Sequence, residues 1–299
     1  MGQTARRMGV PYHIGCQGWA HDAWAGRFYT RKARREEWLG QYASVFNAVE
    51  GGTTFHAVPS AEIVRKWCDQ APAHLRFCFK FHKTISHELR LRGADAQTAE
   101  FLARVAPLGG RLGPFFLQLH ESFGARELTV LEAYLRALPK DFSYAVEVRH
   151  RDFFDGAAGE RALDQLLGEL KMERVDFDTS GLFAAKATDE AVRLAQSKKP
   201  RVPIRFTAIG AEPFVRFVGD PVIENNRASL DVWATHFARW IGEGRRPWFF
   251  AHHPGDTHAP RVARLFQELL CTKAPQLPAS AAWPGEREAA AGGTQLDLF

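Results

Sequence analysis

Short apolar runs alternate with amphipathic segments along most of this chain, and this alternation constrains the fold more than any other feature. Several runs are almost wholly apolar, as strands covered on both faces must be. The segments between them repeat apolar residues every three or four positions, the period typical of helices packed on one side. The strand-like runs are Tyr12–Cys16, Phe46–Glu50, Arg76–Lys80, Phe115–Leu119, Tyr144–Val148, Arg174–Phe177, Phe214–Val218 and Trp248–Ala251. Eight such repeats predict an α/β fold, a single (β/α)₈ TIM-type barrel.

The chain divides into four segments by composition. Residues 1–11 are a short basic arm, and residues 12–271 hold the predicted barrel. Residues 272–294 are rich in Ala, Gly and Pro without periodicity, which predicts an unstructured, flexible tether to a terminal peptide at 295–299. Inside the barrel, Ser197–Glu212 is rich in Lys, Arg and Pro and is interpreted as a long connection, with an extended piece at Val202–Phe206.

Bulk composition favours a cytoplasmic globular protein. The first residues lack the apolar stretch of a signal peptide, and no run has the length of a membrane span. The four cysteines are scattered, which favours reduced thiols over a disulfide framework or a zinc site. A net charge of +5 suits an anionic partner such as nucleic acid.

Several blocks resemble one known family. Ile14–Trp19 (IGCQGW) and Val45–Phe55 (VFNAVEGGTTF) are similar to the opening of the DUF72 (YecE-like) family. Further similar blocks follow in the family's order: Phe77–Phe81, Ile85–Arg90, Leu112–Gln118, Ala145–His150, Phe214–Gly219 and His258–Pro260. The resemblance spans roughly residues 12 to 270 and implies the barrel independently of the strand pattern. It implies no reaction, because the family's activity is unsettled and a barrel supports many chemistries.

Charged and polar residues lie at the predicted C-terminal strand ends, where barrels carry their chemistry. Carboxylates and a lysine are candidates for acid–base catalysis: Glu50, Lys80, Glu147 and Asp178. Other side chains are candidates for binding a substrate or its phosphate: Trp19, Gln118, Arg149, Arg216 and His252. The alternative is that Glu50, Lys80, Glu147 and Arg216 form a buried ion network that fills the barrel.

No cofactor is identified from the sequence. The pairs Gly51-Gly52 and Gly109-Gly110 belong to no phosphate-binding fingerprint. A divalent metal would suit phosphodiester hydrolysis, but the 12 histidines form no compact ligand motif. His56, His82 and His120 stand where the DUF72 family more often has Tyr, Pro and Pro, which is against a shared metal shell.

The last five residues, Gln295, Leu296, Asp297, Leu298 and Phe299, resemble the peptide with which bacterial polymerases and repair proteins bind the DNA sliding clamp. Exposed leucine and phenylalanine at a chain end are unfavourable in water unless a partner covers them. Leu298 and Phe299 would fill an apolar groove, and Gln295 would orient the peptide. The alternative is that this end folds back on the barrel as a hydrophobic latch.

Three functions remain open from the sequence. The first is a clamp-recruited DNA maintenance protein whose barrel acts on a phosphate-containing DNA structure, as a phosphodiesterase or nuclease. The second is a sugar or sugar-phosphate isomerase or hydrolase that uses the same carboxylates. The third is a non-catalytic binding module tethered to the clamp.

Overall fold

The computed structural model describes residues 10–187 and 189–292. All eight strand-like runs form strands, each within two residues of the expected bounds. The strands are β1 (His13–Cys16), β2 (Ala48–Gly51), β3 (Arg76–Phe79), β4 (Phe115–Gln118), β5 (Tyr144–Glu147), β6 (Glu173–Asp178), β7 (Phe214–Val218) and β8 (Trp248–His252). Their burial on both faces explains why so many are apolar throughout.

The strands form a curled parallel sheet rather than one continuous ladder. Six strands pair in the order β1-β8-β7-β6-β5-β4, and β2 pairs with β3 in a second sheet. Isolated parallel bridges join the two sheets, Gln17 with Glu50 on one side and Lys80 with Phe116 on the other. The predicted full barrel is therefore not observed as one continuous sheet. Single bridges join the two sheets at the places where continuous ladders of hydrogen bonds were expected.

Helices follow the strands, as the apolar periodicity predicts. They are α1 (Arg35–Ala43), α2 (Ala61–Gln70), α3 (Asp95–Val105), α4 (Leu128–Ala137), α5 (Ala158–Leu170), α6 (Ser180–Ala184), α7 (Glu190–Lys198), α8 (Arg227–Gly242), α9 (Ala259–Lys273) and α10 (Pro284–Gly292). The Ser60 side chain caps α2 by accepting a hydrogen bond from the Ile63 backbone N–H. None of the helices in the described parts of the chain is long and apolar enough to cross a bilayer.

Two apolar layers hold the fold together. The larger layer lies between the helices and the sheet. The smaller is a separate buried cluster contributed by seven strands: Ala48, Cys78, Phe116, Ala145, Val175, Phe214, Trp248 and Phe250. Because side chains of a strand alternate between its faces, this cluster marks the residues that point to the concave side of the sheet. We call this cluster the apolar floor, because the polar side chains of the site lie directly above it.

The prediction of an unstructured tether over 272–294 is wrong for the part that the structure describes. Lys273 ends α9, and α10 packs on the body of the protein through the buried Trp283. The Arg264 guanidinium pairs with Glu286 and lies 3.8 Å from the Trp283 ring centroid. Gly285 approaches the Arg27 carbonyl so closely that an added Cβ would clash. Trp283, the Arg264–Glu286 ion pair and hydrogen bonds such as that from the Arg31 backbone N–H to Glu288 dock this segment, and none of these contacts produces a helical period.

The connection before β7 is long, as expected, but no strand forms at 202–206. Hydrogen bonds to charged side chains hold it instead. Glu173 accepts from the backbone N–H groups of Gly210 and Glu212, and Arg205 pairs with Asp164. The N-terminal residues 1–9 and the peptide at 295–299 lie outside the described residues.

Candidate functional site

The candidate site is the layer of polar side chains directly above the apolar floor. Most of its members lie two residues after a floor residue on the same strand or just past its end, so they share its face. The pairs are Ala48 and Glu50, Cys78 and Lys80, Phe116 and Gln118, Ala145 and Glu147, Phe214 and Arg216, and Phe250 and His252. The sheet thus brings together residues from distant parts of the sequence at the C-terminal ends of its strands.

Arg216 joins two buried carboxylates at the centre of this layer. Its Nε and Nη2 donate to the two oxygens of Glu50 at 2.8 and 2.6 Å, and its Nη1 donates to Glu147 at 2.5 Å. All three side chains are almost fully buried. Buried charges require such partners, so these three residues form most of the expected ion network, whereas Lys80, which was expected in it, makes no ion pair among the described residues.

The network continues to the rim of the sheet. Arg149 donates through Nε to Glu147 at 2.9 Å and through Nη2 to Gln118 at 2.6 Å. The Gln118 amide then faces His87 Nε2 at 3.5 Å, and His87 Nδ1 lies 2.8 Å from the Ser86 hydroxyl. Because Gln118 Oε1 accepts from arginine, its amide nitrogen is left to donate to His87.

Neither glutamate is suited to donate a proton near neutral pH. Burial alone would raise the pKa of Glu50, but Arg216 and His252 overcome it and hold the pKa well below its usual range. Burial likewise opposes ionisation of Glu147, but Arg216, Arg149 and Lys80 lower its pKa to about 2. Both side chains therefore remain carboxylates that fix the arginines in place.

His252 extends the network on the other side of Glu50. Its Nε2 lies 3.0 Å from Glu50 Oε2. Burial lowers the pKa of His252 despite this carboxylate, so the neutral ring donates through Nε2. Its buried Nδ1 then carries a lone pair, for which the described residues supply no hydrogen-bond partner.

A cavity of about 560 Å³ opens above the network. Its lining includes the carboxylates Glu50 and Asp256. Five cationic side chains line it as well: Lys80, Arg149, Lys198, Lys199 and Arg216. The buried Glu147 lies behind this lining and adds a third negative charge. Five positive charges still outnumber three negative ones, which suits an anionic ligand.

Two lysines account for this surplus. Among the described residues, neither Lys80 nor Lys199 has a carboxylate within ion-pair distance. The Lys80 ammonium instead lies 3.5 Å from the centroid of the Phe55 ring. Burial lowers the pKa of Lys80 to about 7 and that of Lys199 to about 8. Lys80 therefore exchanges a proton near neutral pH, unlike an ordinary lysine.

Three predicted site residues do not line the cavity: Glu147 lies behind its wall in the ion network, and Asp178 and Trp19 lie elsewhere. Asp178 was expected to be catalytic. On β6, however, Val175 and Phe177 point to the concave face of the sheet, so Asp178 points to the opposite face. There it accepts hydrogen bonds from Trp233 Nε1 and from the Ser180 backbone and hydroxyl. Trp19 lines an adjoining cleft rather than the central cavity.

Several cavity residues were missed. Gln17 follows Gly15 by two positions and continues the inward face of β1, so strand parity identifies it. Lys199 lies in the Lys- and Arg-rich segment that the sequence identifies only as a long connection. His87 lies on the single π-helical turn Thr84–Glu88, for which the sequence carries no recognisable signal.

The metal hypothesis gains no support from side-chain positions. The described residues contain no group of three or more His, Cys, Asp or Glu side chains arranged to hold an ion. His56 and His87 line the cavity, and His82 and His120 do not. The ionisable groups that line the described cavity are lysines, arginines, histidines and the carboxylates Glu50 and Asp256.

Comparisons with known proteins agree with the sequence blocks. The family model described as "Protein of unknown function DUF72" matches residues 13–287. The UPF0759 protein YecE of Escherichia coli K12 is 38% identical over 272 residues, which cover 91% of this chain and 97% of that protein. The match to YecE of E. coli O157:H7 has the same identity and coverage.

Solved structures show the same fold. A DUF72 family protein from Thermotoga maritima MSB8 aligns with a TM-score of 0.65 at 18% identity, covering 87% of this chain and 98% of that one. One from Enterococcus faecalis V583 aligns with a TM-score of 0.65 at 18% identity, covering 87% and 95%. Together with the family model and YecE, these matches show that the chain belongs to the DUF72 family.

Proposed function

We propose that this chain is an acid–base enzyme that binds the phosphate ester of a sugar in the central cavity. The observation that carries the proposal is the surplus of positive charge there. Lys80 and Lys199 face the cavity without a carboxylate partner among the described residues, although burying an unpaired cation is unfavourable. An anionic ligand bound beside Lys199 would offset this surplus and leave Lys80 free to exchange a proton.

The phosphate contacts are assigned to Lys199, Lys198 and Arg149. Arg149 uses Nε and Nη2 on Glu147 and Gln118, which leaves Nη1 without a hydrogen bond to the described chain. A guanidinium held by two partners is already oriented, so it loses little freedom on binding an oxyanion. Glu147 and Gln118 thereby serve as positioning residues.

Lys80 is assigned the proton transfer. Its pKa of about 7 lies near a typical operating pH, where a general base is most effective. Glu50 and Glu147 were first considered for this role, but their pKa values lie too far below neutrality. Their proposed role is to hold Arg216 and Arg149.

Binding of inorganic phosphate and ribose 5-phosphate, measured by calorimetry, tests the proposal, followed by turnover of a panel of sugar phosphates. Replacing Lys199 with alanine should weaken phosphate binding by roughly tenfold, since it removes one charge-assisted contact. Lys80→Met should abolish turnover while phosphate still binds. Lys273→Met is the matched control, because Lys273 is exposed, pairs with Asp231 and lines neither the cavity nor the cleft beside it. Failure of the unmodified protein to bind either anion would disprove the proposal.

A second candidate is favoured by the terminal peptide Gln295–Phe299: a DNA maintenance protein recruited by the sliding clamp, with the cavity acting on a phosphodiester. The helix α10 ends at Gly292, so few residues separate the folded body from this peptide. Binding to a bacterial sliding clamp, with a chain ending at Thr294 as the control, tests recruitment. Cleavage of gapped or abasic DNA tests the phosphodiesterase. Clamp binding without any turnover would support the non-catalytic module.

We also propose that the two sheets act as one eight-stranded barrel. The isolated bridges at Gln17–Glu50 and Lys80–Phe116 lie at the level of the polar layer. Together with a third parallel bridge, between Phe77 and Leu112, they support closure of the two sheets into one barrel.

A further inference from the structure

A second cleft of about 510 Å³ adjoins the central cavity. Gln17, Gly52 and Asp256 line both, so the two spaces share a wall. The cleft lies between the residues after β1 and the helix α2. A ligand held in the central cavity and longer than a single sugar phosphate would extend into it.

Two partly buried tryptophans form the apolar side of this cleft. The Trp67 ring stacks on Phe79, with centroids 5.6 Å apart and planes 22° from parallel. Trp19 meets Trp67 edge to face at 5.5 Å. These contacts fix both rings, and their remaining exposed parts line the cleft. Fixed aromatic surface of this kind binds planar rings with little loss of conformational freedom.

The charge of the cleft differs from that of the central cavity. Its lining has two cations, Arg35 and Lys66, and two carboxylates, Glu36 and Asp256. Arg35 is paired with Asp22 and Lys66 with Glu62. The cleft therefore has no surplus of positive charge, so an anionic group is favoured in the neighbouring cavity and not in the cleft.

The wall shared by the two spaces offers polar contacts and room. The Gln17 amide makes no hydrogen bond with the described part of the chain, so both its donor and its acceptor are available. Gly18 has a φ of +73° and nothing within 4 Å of where a Cβ would be. The backbone is thus bare on the cleft side, where a ligand can approach closely.

From this arrangement we infer that the ligand is a nucleotide unit, with its phosphate in the central cavity and its sugar and base in the Trp19–Trp67 cleft. The inference rests on the proposed function and names its substrate class. Each half of the ligand matches one half of the site: the phosphate matches the cationic side around Lys199 and Arg149, and the planar base matches the aromatic wall. Gln17 lies where the sugar would bridge them.

A ligand series on the unmodified protein tests the inference without any substitution. Inorganic phosphate, ribose 5-phosphate, adenosine and adenosine 5′-monophosphate would be compared by calorimetry. The monophosphate should bind at least tenfold more tightly than ribose 5-phosphate, because stacking of its base adds to the phosphate contacts. Equal affinity of these two would overturn the inference and leave the proposed function standing. No binding of any phosphate would overturn both.

Variants locate the base. Trp67→Leu and Trp19→Leu should each weaken the monophosphate roughly tenfold and leave inorganic phosphate unchanged. Trp283→Leu is the matched control, because Trp283 lines neither space. If a tryptophan variant fails to fold, shown by circular dichroism, the ligand series still decides. A trinucleotide shows whether the nucleotide is free or part of a nucleic acid. If the trinucleotide binds more tightly than the mononucleotide, the ligand is a nucleic acid; if it binds more weakly, the ligand is a free nucleotide.

Discussion

Replacing Lys80 with methionine should stabilise the protein. Burial lowers the pKa of Lys80 from 10.5 to about 7, which corresponds to a penalty of about 4–5 kcal/mol on the charged form at neutral pH and below. That value already includes the attraction of Glu147. Methionine is of similar length and carries no charge, so it escapes the penalty.

The gain is smaller than the full penalty because the ammonium also contacts an aromatic ring. Its position 3.5 Å from the Phe55 centroid contributes about 1–2 kcal/mol that methionine loses in part. Lys80→Met should therefore raise the free energy of unfolding by about 2–4 kcal/mol at pH 7, measured by urea denaturation. The control Lys273→Met should change it by less than about 0.5 kcal/mol.

The pH dependence has a definite sign. Between pH 7 and 10.5 the folded state of the unmodified protein binds fewer protons than the unfolded state, so its stability rises with pH there. The variant lacks this rise, and the two proteins should converge near pH 10.5. A variant that is less stable at pH 7, or that keeps the same slope, would refute the reasoning and assign Lys80 to the structural network.

Three further predictions follow from the same contacts. Arg216→Met leaves Glu50 and Glu147 buried without their main partner and should cost about 3–5 kcal/mol by urea denaturation. Without Arg216, burial raises the pKa of Glu50, so stability should increase as pH falls from 7 to 5; an unchanged slope would contradict this. Asp178→Ala leaves the Trp233 indole N–H without its acceptor and should cost about 1–3 kcal/mol, while phosphate affinity in the same preparation stays unchanged. Trp283→Ala should lower the free energy of unfolding by about 3 kcal/mol, since Trp283 is only 7% exposed. A change below about 0.5 kcal/mol would instead support the prediction that this segment is an unstructured tether.

The strands were predictable because both faces of each are buried, and burial selects apolar residues. Strand ends also identified most of the site, since Glu50, Lys80, Gln118, Glu147 and Arg216 terminate or interrupt apolar runs. What the sequence could not show for β6 is which of its residues point to the concave face of the sheet. Asp176 and Asp178 lie near the end of β6, just as Arg216 and Val218 lie near the end of β7. Only the pairing with neighbouring strands shows which face of the sheet each side chain occupies.

Contacts between distant segments were equally out of reach. Trp283 lies in an Ala-rich stretch, and its partner Arg264 is on α9. Lys199 looks like any lysine at the end of a helix until the fold of the chain places it against the cavity. Such residues carry no periodic signal because one or two contacts, rather than a repeating stripe, fix them.

An ion network and a binding site are compatible at this position, because they use different members of the same layer. Glu50, Glu147, Arg216 and Arg149 cancel one another, so burial rather than a nearby carboxylate decides the pKa of Lys80. A phosphate beside Lys80 would favour its ammonium form and remove it as a base. The phosphate must therefore lie toward Lys199, whose pKa of about 8 leaves it largely charged at neutral pH. This pose leaves Lys80 free to take a proton from the sugar that connects the phosphate to the adjoining cleft.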